Sequence, residues 1–154
     1  MPAFAPIRSV SRTHRTILSH PCNNPPMSIL EGPLKGAART EVGGLTVDDV
    51  AVGDGGHLKR LIYPPGWRWS THMRPVTGGE RCMHAHVGML VQGRIVIEYP
   101  DGCREEFDAP AAVVVTPGHD GWVVGDEPAV LVQYDCGPDT VERLRLPASH
   151  AHNA

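Results

Sequence analysis

The chain has 154 residues, a formal net charge of −3 and a pI near 6.3. That length holds one domain, large enough to bury an ordinary core without disulfide support. The Lys and Arg residues form no stripe and no apolar run approaches bilayer-crossing length, so neither nucleic acid nor a membrane is an expected partner.

Residues 1–26 carry Arg8, Arg12 and Arg15, with no acidic residue before Glu31 and no continuous apolar stretch. Two readings stand: an organelle transit peptide, or an extension outside the fold with the true start at Met27. Residues 1–40 are accordingly read as an extended or disordered segment, 41–147 as the folded domain and 148–154 as a disordered tail. With Gly at 17, Pro at 15 and charged residues at only 20%, the composition favours short strands joined by turns over long helices.

From Leu45 the chain reads as a series of β-type runs broken by turn signals. LTVDDVAV and HLKRLIY come first, the latter ended by Pro64-Pro65-Gly66. WRWSTHM follows as a predicted strand, with Trp67 and Trp69 on one face and Arg68 and Ser70 on the other. VGMLVQG and RIVIEY come next, and Asp101-Gly102 then makes a hairpin turn. CREEF, AAVVVT, GWVVG, AVLVQY and VERLRL complete roughly nine or ten strands, with no sustained helical period. An all-β domain, a closed barrel or jelly roll, is expected.

Cys22, Cys82, Cys103 and Cys136 include no CxxC pair, which excludes a zinc ribbon or a thioredoxin motif. No secretory signal accompanies them, so reduced thiols and a cytoplasmic location are expected. The chain also lacks a Ser/His/Asp order, a P-loop and GxGxxG. Trp67, Trp69 and Trp122 are candidates for the mouth of a ligand pocket, or else for core packing. His72 is a weaker pocket candidate, and His57 is expected in solvent.

The stretch from Pro64 to Asp135 resembles the cupin superfamily, whose fold is a double-stranded β-helix or jelly-roll barrel. That family's first motif has two His one residue apart, a Glu after three or four more, and a turn Gly after another six. Here Glu80-x-Cys82-x3-His86-x6-Gly93 keeps the spacing and changes all three ligand types. A second register takes His84-Ala85-His86 as the pair, but needs a Glu near Leu90 or Val91; His86 belongs to both. The second motif, Pro-x-Gly-x-x-His, falls on residues 116–121, with Gly121 at the His position. His119 stands two residues earlier, so it shares that strand face. The segments PPGWRWS and PGHDGWVVGDEPAVL are similar to those of small single-domain cupins.

The resemblance implies a metal-binding barrel. Cys82, His86 and His119, with Glu80 or His84 as a fourth donor, are the right types for zinc or iron(II). The alternative is a lost metal site in which His86 and His119 hydrogen-bond a ligand. Two functions follow: a module binding a small molecule in its pocket, or a metal-dependent enzyme acting on a small oxygenated compound. A dioxygenase, an isomerase or a lyase would fit the second, and fold alone does not choose. The resemblance also implies a homodimer.

Overall fold

The computed structural model describes residue 28, residue 30 and residues 32–152. The readings made of residues 1–26 lie outside these. Among the described residues, nine strands form two antiparallel sheets. The chain runs β1 (Ala38–Val42), β2 (Leu45–Ala51) and β3 (His57–Tyr63), then two single-turn helices, α1 (Trp69–His72) and α2 (Arg74–Thr77). It continues through β4 (His86–Gln92), β5 (Arg94–Glu98), β6 (Arg104–Asp108) and β7 (Ala111–Val115). Last come β8 (Asp120–Val123), β9 (Ala129–Asp135) and α3 (Thr140–Arg143).

The larger sheet has the order β1-β2-β3-β9-β4-β7, the smaller β6-β5-β8. Leu61, Leu90, Val113, Val115 and Leu131 from the larger sheet meet Ile95, Ile97 and Val123 from the smaller in one apolar cluster. Alternation explains the register. In β7, Val113 and Val115 are buried while Ala112 and Val114 face out.

Two glycines set the geometry near the site. Gly93 turns the chain between β4 and β5 at φ 75°, and a Cβ there would lie 2.6 Å from the Pro128 carbonyl oxygen. At Gly88 a Cβ would lie 2.1 Å from the Val132 carbonyl oxygen, so only Gly lets β4 lie against β9 at this point. Gly88 pairs with Gln133, two residues from His86, and the approach sets Gln133 beside that imidazole.

Several segments differ from the sequence reading. Residues 69–72 of WRWSTHM are helical, although Arg68 is extended and bridges Trp122. The reason is a cap supplied from a distant strand. Asp120 on β8 accepts the Ser70 N–H (3.0 Å), the Ser70 hydroxyl (2.9 Å) and the Arg68 Nε–H (2.8 Å). VERLRL is likewise helical at its start, where buried Thr140 ties the Gly137 carbonyl to the Cys136 N–H through its hydroxyl. β1 adds a strand from residue 38, before the Leu45 at which strands were expected to begin. The tail expected to be disordered is placed through His152: the His150 ring stacks on Tyr99 at 3.8 Å.

Candidate metal centre

Cys82 lies outside the regular strands but pairs with His119 in an isolated antiparallel bridge. The Cys82 N–H donates to the His119 carbonyl (2.8 Å), and the Gly118 N–H donates to the Cys82 carbonyl (2.8 Å). This backbone pairing sets two side chains from separate parts of the chain next to each other. His86, the first residue of β4, completes the group. One donor atom from each of Cys82, His86 and His119 lies within 4.8 Å of the other two.

The ring nitrogens are already sorted. His119 Nδ1 is 2.7 Å from the Thr116 carbonyl oxygen, which only accepts, so Nδ1 carries the proton and Nε2 the lone pair. Gln133 orients His86 in the same way. The Gln133 amide donates to Asp135 (2.9 Å), which turns its oxygen toward His86 Nδ1 at 2.7 Å. The His86 proton therefore sits on Nδ1, and Nε2 faces Cys82 Sγ at 3.8 Å. Second partners of this kind fix tautomer and ring orientation in metal-ligating histidines.

Electrostatics agree with the tautomers. Burial, with His119 and His84 close by, pushes the His86 pKa down to about 3. Burial also pushes His119 down to about 4, and it raises the Cys82 thiol to about 11. The result is two imidazole lone pairs and one thiol facing each other in an apolar wall. This donor set fits a divalent cation, which would satisfy both lone pairs and draw the proton from the thiol. Behind it, Asp135 is fully buried yet held well below the usual carboxylate range. Burial alone raises it, and hydrogen bonds from His84, the Gly137 N–H, Lys59 and Gln133 outweigh that effect.

The other expected donors separate. His84 stands beside the group, its ring 5.3 Å from that of His86 and its Nε2 3.4 Å from Asp135 Oδ2. Glu80 points into solvent, with 81% of its side chain exposed, and pairs with Arg74 at 2.7 Å. It is not part of the cluster. Residues 78–85 are not a strand, so an even spacing from Cys82 gives Glu80 no common face with it.

The cluster lies in the wall of a cavity of about 720 Å³ between the sheets. Leu45, Leu61, Ile95, Val113 and Leu131 make its surface largely apolar, and the polar groups gather around the cluster. Trp67, Trp69 and Trp122 line it. Trp67 and Trp69 are also buried core residues, and the Trp67 indole N–H donates to the Gly43 carbonyl (2.8 Å). Trp122 is half-buried, with the Arg68 guanidinium 4.3 Å above its ring. His72 is not among the lining residues; it stacks behind Trp67 at 6.1 Å and bonds the Arg68 backbone. Gln133 and Asp135 went unnoticed in the sequence. Their signal was two polar residues at the inward positions of an otherwise apolar strand, after Ala129 and Leu131.

No family model and no curated protein matches the chain. Solved structures do. A Cupin 2 conserved barrel domain protein from Salinispora arenicola CNS-205 superposes with a TM-score of 0.50 at 20% identity, covering 77% of this chain and 98% of that one. An RmlC-like cupin from Shewanella frigidimarina NCIMB 400 gives a TM-score of 0.46 at 16% identity, covering 70% and 89%. A cupin-2 domain from Rhodospirillum rubrum gives 0.47 at 18% identity, covering 68% and 72%. The fold is the cupin jelly roll.

Proposed function

We propose that this cupin-fold chain holds a divalent metal, zinc or iron(II), on Cys82, His86 and His119, and binds a small oxygenated organic molecule over it. The observation that carries the reading is the convergence of three donors, two with their tautomers set, in the wall of a 720 Å³ cavity. That volume is in the range of small-molecule sites, roughly 300–1,000 Å³. The chain supplies three ligands and, among the described residues, no fourth within the same reach. One coordination position is thus left for the guest or for water. A bound ion would supply a Lewis-acidic contact for an oxygen of the guest. Trp67, Trp69 and the aliphatic walls would take its apolar body.

A second reading, a metal-dependent dioxygenase, isomerase or lyase, is favoured by His84. Its Nε2 is oriented by Asp135, which leaves Nδ1 as a base beside the cluster. Metal analysis of the untagged protein tests the shared premise. One equivalent of iron or zinc that is present in the wild type and lost in Cys82→Ala and His86→Ala is expected; a folded wild type without metal after reconstitution sinks both readings. His84→Ala then divides them. Turnover lost with metal retained identifies an enzyme, whereas ligand binding without turnover in the wild type identifies a binding module.

A further inference from the structure

A second group of donors lies on the outside of the barrel, at the hairpin joining β5 and β6. Cys103 is in that hairpin, and its N–H donates to Asp101 Oδ1 at 2.9 Å. The tail returns across it, stacking His150 on Tyr99 and bringing His152 Nε2 to 2.9 Å from Asp101 Oδ2. The His150 and His152 rings are 4.9 Å apart and nearly perpendicular. One donor atom from each of Cys103, His150 and His152 lies within 4.8 Å of the other two.

An independent observation points to a ligand here. His150 Nε2 is buried and has no hydrogen-bond partner among the described residues. A buried polar atom left unsatisfied costs on the order of 1–3 kcal/mol. The tail has solvent beside it and adopts this position nonetheless. The other ring nitrogen, Nδ1, is 3.8 Å from Glu105 Oε1, so an ion bound at Nε2 would remove the conflict.

We propose that Cys103, His150 and His152 form a zinc site, separate from the cavity, that clamps the tail to the hairpin. A thiolate and two imidazoles are borderline-soft donors suited to tetrahedral zinc, and the Asp101 carboxylate stands at the rim of the same cluster. The role is structural: none of the three residues lines the cavity. Tyr99 separates the two centres, with its ring 3.8 Å from that of His150 and 6.2 Å from that of His119.

The test is the zinc content of the full, untagged chain after equilibration with zinc and removal of excess. About two equivalents are expected in the wild type, and about one in either Cys103→Ser or Cys82→Ser. The thiolate separates a built site from a tail that scavenges metal through its histidines alone. Cys103→Ser retaining both equivalents overturns the proposal, as does a wild type whose only equivalent is lost in Cys82→Ser. A single equivalent lost in Cys103→Ser and kept in Cys82→Ser supports the outer site while refuting the inner one. Protection of the tail provides a second readout. Zinc should slow its digestion by a serine carboxypeptidase in the wild type and have no effect in Cys103→Ser; equal digestion with and without zinc in the wild type counts against the clamp.

Discussion

Asp48 and Asp135 are both fully buried aspartates in the larger sheet, yet they serve opposite sides of it. Asp48, on β2, takes Arg39 Nε at 2.7 Å, the Leu34 N–H at 3.1 Å and the Arg60 guanidinium. Its partners draw the segment before β1 onto the outer face. Asp135, on β9, takes Lys59 at 3.1 Å, the Gln133 amide and His84, and lines the cavity. One carboxylate holds the fold, and the other, through Gln133, holds the orientation of His86. Burial and charge alone would not separate them; the identity of the neighbour does.

The comparison breaks if the two can be exchanged, and substitutions test this from the largest effect down. Asp48→Asn removes the buried carboxylate that Arg39 and Arg60 share and should lower unfolding free energy by roughly 3 kcal/mol in denaturant titration, with metal affinity unchanged. The pH profile sharpens the point. Burial raises the Asp48 pKa, but the bonds from Arg39, the Leu34 N–H and Arg60 leave it below its ordinary value. The unfolded chain therefore takes up this proton first. The stabilisation is complete above about pH 4 and fades as pH falls through the lower folded value, so the melting temperature of the wild type should drop more steeply there than that of Asp48→Asn.

Asp135→Asn and Gln133→Leu should act on the metal instead. Each loosens control of the His86 tautomer, and a loss of about 10–100-fold in metal affinity is expected in chelator competition. An unchanged affinity in both would mean that the His86 ring is held by packing alone. His84→Ala should change least, with metal content near that of the wild type, because His84 contacts Asp135 from beside the cluster. A large loss of metal in that variant would make His84 a ligand and remove the distinction drawn between it and His86.

The strands from β2 to β9 were legible because alternation and turn residues are local properties of the chain. The helix at Trp69 was not, since its cap comes from Asp120, fifty residues away in the Ser70 bond. The site divides along the same line. The resemblance to the cupin motifs singled out His86 and Cys82 through Gly93 and His119 through Gly121, and the fold brings these three together. Glu80 had the right spacing but stands on irregular backbone, where counting residues says nothing about direction. Gln133 and Asp135 act through cross-strand neighbours, and that pairing is visible only once β9 is beside β4.

The place of β9 bears on how the barrel is made. It is the last strand of the series, yet it lies between β3 and β4 in the larger sheet and pairs with both. Until β9 has emerged from the ribosome, β1–β3 has no strand connection to the β4–β7 pair. Closure therefore waits for contacts of long sequence separation, which slows folding. Gln133 and Asp135 arrive on that same strand, so a nascent chain can hold Cys82, His86 and His119 before anything directs the His86 proton. A metal bound as proposed would then meet its fully oriented donor set only once β9 has joined the two halves of the larger sheet.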